Sequence, residues 1–216
     1  NCIGVASNGQ TVIPNGGSGV HLEHSVNNEI GSGYGDCYES GGNVISGNAS
    51  NGITVLCDDG AAAANIQCNF IGTDPDGILL LSNGCRGVYV ENSGGNFIGD
   101  SDSWCRNTIV NNGSDGIAIA GLLSISNRIR GNYIGVAKNG AAMGNGGHGV
   151  YVTNAPGSII GGTSSSQGNV VGDNEGCGIH LAGGGGASVQ GNIIGASPNG
   201  GSARSNGHDG LYACDA

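Results

Sequence analysis

The chain has 216 residues, 47 of them glycine, and its 6 Lys and Arg against 16 Asp and Glu give a formal charge of −10. Glycine and asparagine interrupt every candidate helix, and aromatic residues make up only 4% of the chain, which excludes helical bundles and large aromatic cores. The negative charge excludes nucleic acid as a partner, and no run approaches the roughly 18 apolar residues of a membrane span. We therefore expect one domain over residues 1–216, built from short strands and turns.

A short motif, glycine followed by alternating aliphatic residues, recurs along the whole chain. Because side chains alternate along a strand, each copy predicts a short strand with two side chains facing inward and one outward. Two further strand-like pieces lie between copies; after the fourth copy they are NRIRGN at 127–132 and YIG at 133–135. The copies are GVHL at 19, GITV at 52, GVYV at 87, GIAI at 116, GVYV at 149, GIHL at 178 and GLYA at 210.

A longer period overlaps this one. The segment GNYIGVAKNG at 131–140 has counterparts at 1–9, 68–77 and 191–200, with steps of 68, 63 and 60 residues between their Ile-Gly pairs. We interpret it as the third strand of every second coil followed by a long loop, so that a coil holds about 31 residues. Counting aliphatic centres alone gives a competing period of about 21 residues. We prefer the longer coil, because each coil then contains one copy of the glycine-led motif with the same pattern of residue types. The competing centres are Val44, Ile66, Val88, Ile109, Ile129, Val150, Val170, Val189 and Leu211.

Stacked coils of this kind form a parallel β-solenoid, in which each strand pairs with its equivalents above and below. The segments NVISGN at 43–48 and GNYIG at 131–135, together with the glycine-led strands, resemble right-handed parallel β-helix proteins of the pectin-lyase-like superfamily, especially extracellular proteins with GNxIG repeats. The resemblance implies an all-β, single-stranded right-handed parallel β-helix of about six to seven coils. It does not imply an activity, because that superfamily includes lyases, hydrolases, epimerases, adhesins and structural proteins.

Fragments of the polygalacturonase motifs occur, but they do not predict a catalytic site. The chain has Asp58-Asp59, GHG at 147–149 and RIR at 128–130, with RIR before GHG, which is the reverse of that family's order. A glycosidase needs two carboxylates in one cleft, and the aspartate pair lies in a turn with no evident partner. His148 occupies the slot that Ser18, Arg86 and Asp209 fill in other coils. We predict no catalytic residues; if the chain were an enzyme, it would be a polysaccharide lyase or glycoside hydrolase.

Two pairs of acids are candidates for calcium, which pectate lyases hold with acids from neighbouring coils. Asp74 and Asp76 lie in a loop after a third strand, and Asp100 and Asp102 in a loop after a second strand, hence at different corners. Calcium takes six to eight oxygens, which neither pair supplies, so we interpret them as turn-forming residues. The five histidines do not cluster at metal-ligand spacing. We predict no metal and no cofactor.

The outward position of the glycine-led strand predicts a contact row. Tyrosine recurs there on every second coil, about 10 Å apart along the axis. We expect the row to contact either sugar rings or a neighbouring molecule, although tyrosine is also simply a good strand residue. The column consists of His21, Thr54, Tyr89, Ala118, Tyr151, His180 and Tyr212, and the candidate contacts are its tyrosines and histidines.

The cysteines and two sequons indicate a secreted, extracellular protein. Eight cysteines without a CxxC pair favour disulfides, with Cys68 near the same corner as Cys37 and Cys105 and suited to pair with either. Asn48 and Asn112 head glycosylation sequons in the same slot of the repeat. The candidate disulfide cysteines are Cys2, Cys37, Cys57, Cys68, Cys85, Cys105, Cys177 and Cys214.

The sequence starts and stops inside a repeat, without a recognisable cap. We expect the first strand at the C-terminal end of one molecule to lie beside the third strand at the N-terminal end of the next, with Cys2 and Cys214 close enough to lock the junction. The predicted function is therefore an extracellular, non-catalytic structural protein whose partner is itself, as a head-to-tail filament or surface coat. The alternative is a carbohydrate-binding adhesin module, or a lyase-like or hydrolase-like β-helix, with an extracellular polysaccharide as partner.

Overall fold

The computed structural model describes residues 1–31, 42–61, 63–99, 106–183 and 185–215. Throughout these ranges the chain is all-β, without helix, and winds into a parallel β-solenoid of about 6 turns with roughly 32 residues per turn. The predicted all-β solenoid is confirmed. No helix of the described chain is both long enough and apolar enough to cross a membrane.

Each complete coil contributes one strand to each of three parallel sheets. The first sheet, made of the glycine-led motifs, contains β2 (Val20–Glu23), β5 (Ile53–Ala61), β8 (Val88–Gly94), β11 (Ile117–Ala120), β14 (Val150–Thr153), β17 (Ile179–Ala182) and β20 (Leu211–Cys214). The second sheet contains β3 (Glu29–Gly31), β6 (Asn65–Gln67), β9 (Phe97–Ile98), β12 (Arg128–Ile129), β15 (Ile159–Gly161) and β18 (Ser188–Gln190). The third sheet contains β1 (Cys2–Ile3), β4 (Val44–Ile45), β7 (Phe70–Ile71), β10 (Thr108–Ile109), β13 (Tyr133–Ile134), β16 (Val170–Val171) and β19 (Ile193–Ile194).

The competing period of about 21 residues corresponds to two thirds of a coil. Val44 lies in the third sheet, Ile66 in the second and Val88 in the first, and the later centres repeat this order. Every strand contains an aliphatic residue. Counting one such residue in every second strand gives a regular spacing, but that spacing is not the length of a coil. The longer coil is confirmed.

Long and short coils alternate along the axis. A long coil makes a hairpin between its third-sheet and first-sheet strands; a short coil, such as that of β4, β10 or β16, turns directly from one sheet to the next. The hairpins explain the longer sequence period, because one occurs on every second coil. Their antiparallel bridges are Val5–Val12, Thr73–Leu80, Val136–Ala142 and Ala196–Ala203.

Stacked isoleucines and valines fill the interior. In register, Ile71 pairs with Ile109 and Ile109 with Ile134, and none of the three is exposed to solvent. Glycines at the corners let neighbouring coils stack closely. Gly135 has φ +75°, and a Cβ there would collide with the carbonyl oxygen of Gly172 on the next coil. The core is therefore a thin aliphatic column, as the low aromatic content predicted.

Candidate functional site

Two columns of asparagine flank the third sheet. We call them the entry ladder, which precedes the third-sheet strands, and the exit ladder, which precedes the first-sheet strands. The side-chain amide of each rung donates to the Oδ1 of the next, over 2.8 to 3.1 Å in the entry ladder and 2.8 to 3.0 Å in the exit ladder. The entry ladder consists of Asn1, Asn43, Asn69, Asn107, Asn132, Asn169 and Asn192, and the exit ladder of Asn15, Asn48, Asn83, Asn112, Asn145, Asn174 and Asn206.

The ladders have a direction. Asn83 Oδ1 accepts the backbone and side-chain N–H groups of Asn48 at 3.1 and 2.9 Å, while its own Nδ2 donates to Asn112 at 2.9 Å. Because the pattern repeats, the exit ladder ends in an acceptor at one extremity and a donor at the other. Within the described ranges, no N–H reaches Asn15 Oδ1 and no acceptor faces Asn206 Nδ2. A further asparagine at either end would bond to the terminal group there and strengthen the existing hydrogen bonds.

The two glycosylation sequons are structural. Asn48 and Asn112 are only 1% and 2% exposed, and both side-chain amides donate within the exit ladder. A glycan on either Nδ2 would have to displace a neighbouring coil, so the folded chain leaves no room for it. The prediction of glycosylation at Asn48 and Asn112 is therefore corrected: both residues are buried rungs.

The predicted outward column of the first sheet is present in register, from His21 at one end to Tyr212 at the other. Its members differ in exposure. Ala118 is 1% exposed, whereas Tyr212 is 44% exposed. The His180 ring lies between those of Tyr151 and Tyr212, with centroids 5.1 and 5.0 Å away and planes tilted by 50° and 60°. These three rings pack on each other along the axis, so they do not form a row of open flat faces.

A series of hydrogen bonds runs beside this column and passes through His148 of the GHG segment. Asp115 accepts from Arg86 Nε through Oδ2 at 3.2 Å and from the backbone N–H of His148 through Oδ1 at 2.9 Å. His148 Nδ1 accepts the backbone N–H of Cys177 at 2.9 Å, and its Nε2 lies 3.1 Å from His180 Nδ1. A neutral His148 that accepts through Nδ1 carries its proton on Nε2, so it donates to His180.

The tautomer of His148 determines which nitrogen of His180 carries a proton, and therefore whether His180 can act as a base. His180 accepts through Nδ1, which places its own proton on Nε2, 3.7 Å from the Sγ of Cys214. It is a donor toward the thiol rather than a base for it, so the pair is not set up as a nucleophile and base. Burial lowers the pKa of His148, the proximity of His180 and His208 lowers it further, and the Asp115 carboxylate opposes the shift. The polygalacturonase-like fragment is therefore part of a structural network.

The other acid candidates form local bonds. Asp58 Oδ1 lies 3.1 Å from His24 Nδ1, and Asp59 accepts from the Cys57 thiol at 2.9 Å. Asp74 Oδ1 accepts the backbone N–H groups of Ile78 and Leu79 at 2.8 and 3.0 Å, which makes it a turn former. Asp100 and Asp102 lie outside the described residues. Among those that are described, no three His, Cys, Asp or Glu side chains form a metal-binding group.

Most of the described cysteines are thiols. Five of them are in the thiol form: Cys2, Cys57, Cys85, Cys177 and Cys214. Cys68 is not in that set and is 1% exposed, while Cys37 and Cys105 lie outside the described ranges. No disulfide joins two cysteines within the described ranges. The pairing of Cys68 with a neighbouring corner stays a prediction.

The repeat pattern alone did not reveal the ladders, because asparagine at a corner is equally explained by its tolerance of left-handed backbone. Left-handed asparagines do occur, among them Asn92, Asn111 and Asn154, but the ladder positions are different residues. The available signal was the fixed place of one asparagine before each third-sheet strand and one before each glycine-led strand. A residue type that recurs at a buried corner indicates side chains that bond to their own copies.

Comparison with protein-family models, with curated proteins and with solved structures finds no match to this chain. The function proposed below is therefore inferred from the geometry of this chain alone.

Proposed function

We propose that this chain is a non-catalytic structural β-solenoid that associates head to tail with further copies. The observation that carries the proposal is the polarity of the exit ladder, which offers the acceptor Oδ1 of Asn15 at one end and the donor Nδ2 of Asn206 at the other. Head-to-tail contact places donor against acceptor. Head-to-head contact would place acceptor against acceptor, which is unfavourable for buried polar groups.

The apolar interior also supports end-to-end contact. At one end, inward-facing Ile3 and Val20 are only partly buried; at the other, Ile194 is partly buried and Leu211 is 48% exposed. Covering them removes apolar area from water, at about 25 cal/mol per Å². The strand edges of the terminal coils likewise present backbone groups that an added strand would satisfy.

The distribution of charge disfavours head-to-head contact. Residues 1–85 contain no Lys or Arg and 8 Asp and Glu, a net −8, whereas residues 86–216 contain 6 Lys and Arg and 8 Asp and Glu, a net −2; the sum is the −10 of the chain. Two N-terminal halves therefore repel each other most, so the charges disfavour head-to-head contact without by themselves choosing between head-to-tail and tail-to-tail contact.

The proposed junction differs from the one that the repeat pattern predicted. The terminal strands β20 and β1 belong to different sheets, so β20 would pair with β2 of the next copy, and β19 with β1. By the register of the first sheet, Leu211 would lie on Val20 and Tyr212 on His21. A bond between Cys2 and Cys214 would cross a corner of the coil rather than join paired strands, so it is not part of the proposal.

The location and family also belong to the proposal. The GNxIG segments resemble those of extracellular, pectin-lyase-like right-handed β-helices, and the coils have three strands each, as that resemblance implied. We therefore place the assembly outside the cell, as a filament or surface coat.

The test compares Asn206→Asp with the unaltered chain. This change keeps the oxygen that accepts from Asn174 within the chain and replaces the donor Nδ2 with a second oxygen. We expect sedimentation velocity and electron microscopy to show concentration-dependent filaments for the unaltered chain and at least about tenfold weaker association for the variant, the loss of one hydrogen bond plus an added repulsion. Asn199→Asp, in an exposed hairpin, is the matched control. Monomer at every concentration for the unaltered chain would overturn the proposal.

A second candidate is carbohydrate contact on the first sheet. The observation that favours it is Tyr212, 44% exposed at the end of the ring column, with Tyr89 further along and held under Arg86 at 4.7 Å. Replacing Tyr89, Tyr151 and Tyr212 together with Ser is expected to abolish retention on a neutral polysaccharide such as cellulose. Unchanged retention, or none in the unaltered chain, would remove this candidate.

A further inference from the structure

Asparagine followed directly by glycine occurs nine times in this chain. This pair is chemically labile, because glycine leaves room for its own backbone nitrogen to approach the asparagine side chain. Most of the pairs belong to the exit ladder, one directly precedes β5, and three lie in hairpins of the long coils. The ladder pairs are Asn15-Gly16, Asn83-Gly84, Asn112-Gly113, Asn145-Gly146 and Asn206-Gly207, and the others are Asn51-Gly52, Asn8-Gly9, Asn139-Gly140 and Asn199-Gly200.

The reaction open to such a pair is the loss of ammonia. The glycine nitrogen gives its proton to hydroxide and attacks the asparagine Cγ, and the bond from Cγ to Nδ2 breaks as Nδ2 takes a proton from water and leaves as ammonia. The succinimide that forms adds one water across either of its ring C–N bonds and opens to aspartate or isoaspartate. The glycine nitrogen therefore has to leave its hydrogen bond, and the asparagine side chain has to turn and meet water.

The interior rungs of the exit ladder meet none of these conditions. Asn83 and Asn145 are fully buried, and Asn112 is 2% exposed. The Gly113 N–H donates to Asn83 O at 2.9 Å. The Gly146 N–H donates to Asn112 O at 2.8 Å. Each of these bonds joins two coils, so the glycine nitrogen is freed only when the coils separate.

The third hairpin presents the opposite situation at Asn139-Gly140. Asn139 is exposed, although this hairpin has another on each side of it along the axis. Its Oδ1 accepts the Ala141 N–H at 2.9 Å, and the Gly140 N–H donates to Ala137 O at 2.8 Å. Both bonds lie within one turn of the chain, which opens locally at a far lower free energy than two packed coils.

The neighbouring hairpin shows that the aspartate product would fit. Asp76-Gly77 occupies there the position of Asn139-Gly140. The Gly77 N–H donates to Asp74 O at 3.1 Å, and Gly77 shares the left-handed backbone of Gly140, with φ of 64° against 83°. A carboxylate at this position is therefore compatible with the turn.

A rung would not tolerate the same change. Oxygen in place of Asn112 Nδ2 would lie 2.9 Å from Asn145 Oδ1 and 3.0 Å from Val110 O, both of which are acceptors. Acceptors held together in a buried site, without a donor, destabilise the fold. Protection of the rungs therefore preserves the solenoid, whereas reaction at the hairpin leaves the coils intact.

We propose that the folded chain modifies itself at Asn139, and that its stacked coils protect the interior Asn-Gly rungs from the same reaction. The co-reactant is water, and the product adds one negative charge directly after Lys138, the single lysine of the chain. Neither Asn139 nor these rungs lies at an end of the solenoid, so the modification goes beyond head-to-tail association and does not depend on it.

The test incubates the folded chain in a mildly alkaline buffer, because the reaction begins with deprotonation of the glycine nitrogen. Peptide mapping by mass spectrometry, with standards for aspartate and isoaspartate, gives the rate at each pair. We expect Asn139 to react at least about tenfold faster than the interior rungs Asn83, Asn112 and Asn145. In denaturing urea, where every pair has the same glycine neighbour and no coil protects it, these rates should agree within about threefold.

Urea below the unfolding transition separates the two kinds of opening. The rates at the rungs should rise with urea, because coil separation exposes surface, while the rate at Asn139 stays nearly constant. Asn139→Gln is the matched control: it keeps the amide, but its longer side chain would have to close a six-membered ring, so this position should no longer react. Asn139→Asp should melt as the unaltered chain does, whereas Asn112→Asp should lower the melting temperature.

Rungs that react as fast as Asn139 in the folded chain would show that the coils do not protect them. Reaction at Asn139 in urea, without reaction in the folded chain, would remove the modification site. Equal loss of melting temperature in Asn139→Asp and Asn112→Asp would contradict the tolerance of the hairpin for the product. Sedimentation velocity reports self-association separately, so none of these results decides the head-to-tail proposal.

Discussion

The exit ladder and the ring column of the first sheet run side by side along the same solenoid, yet they differ in how strictly they repeat. All seven exit-ladder positions are asparagine, whereas the ring column contains histidine, threonine, tyrosine and alanine. Ladder residues such as Asn83 and Asn145 are fully buried, while Tyr212 is 44% exposed.

The difference shows what makes a repeat strict. A buried rung must accept from the coil before it and donate to the coil after it, and asparagine does both with one short side chain. An outward ring can be replaced by a smaller residue at the cost of one stacking contact, since water satisfies what remains. A buried polar position therefore restricts the residue type at each repeat more strongly than a position in the apolar core does.

The largest effect is expected from breaking the ladder. Asn112→Ala removes the bond to Asn145 Oδ1 at 2.9 Å, the bond to Val110 O at 3.0 Å and the acceptor for Asn83. Because buried partners are left unsatisfied, we expect a loss of about 2–4 kcal/mol in the free energy of unfolding. Urea denaturation followed by circular dichroism measures it. Asn139→Ala, at an exposed hairpin position, should cost less than about 1 kcal/mol; equal losses would show that the ladder is not special.

A smaller effect is expected from the ring column. His180→Ala removes ring contacts to Tyr151 and Tyr212 and the bond to His148, for a loss of about 1–2 kcal/mol. His21→Ala, in the same column with its side chain 47% exposed, should change stability by less than about 0.5 kcal/mol. A His180 cost as large as that of Asn112 would contradict the comparison.

The pH dependence gives a finer measure of the column. The pKa of His148 is lower in the folded chain than its ordinary 6.5, so the unfolded chain binds this proton first as the pH falls. The contribution of His148 to stability is therefore present above about pH 6.5 and is lost as the pH falls from there through the folded pKa. Thermal melts between pH 7.5 and 5 should show this slope.

The control for that slope is His148→Asn, which keeps an acceptor near the Cys177 N–H. We expect it to flatten the decline between pH 7.5 and 5, whereas His21→Asn retains it because His148 is still present. A decline of equal steepness in the His148 variant would assign the pH dependence to other groups.

Much of the architecture could be predicted from the sequence. The glycine-led motif placed Tyr89, Tyr151 and Tyr212 in one outward column, because side chains alternate along a strand and the motif keeps the same phase on each coil. The ring contacts of His180 and the burial of Ala118 could not be derived that way. They depend on the side-chain conformations of neighbouring residues. The alternation of a strand specifies only which face a side chain is on.

The sequence by itself determined the period, the three strands of each coil and the alternation of long and short connections, because these are local properties of spacing and backbone preference. Only the tertiary structure decided which asparagines bond to one another and why Asn48 and Asn112 are buried rungs. The physical reason is separation: a rung such as Asn83 bonds to Asn48 and Asn112, 35 and 29 residues away. Those residues become neighbours only when the coils stack at about 4.8 Å.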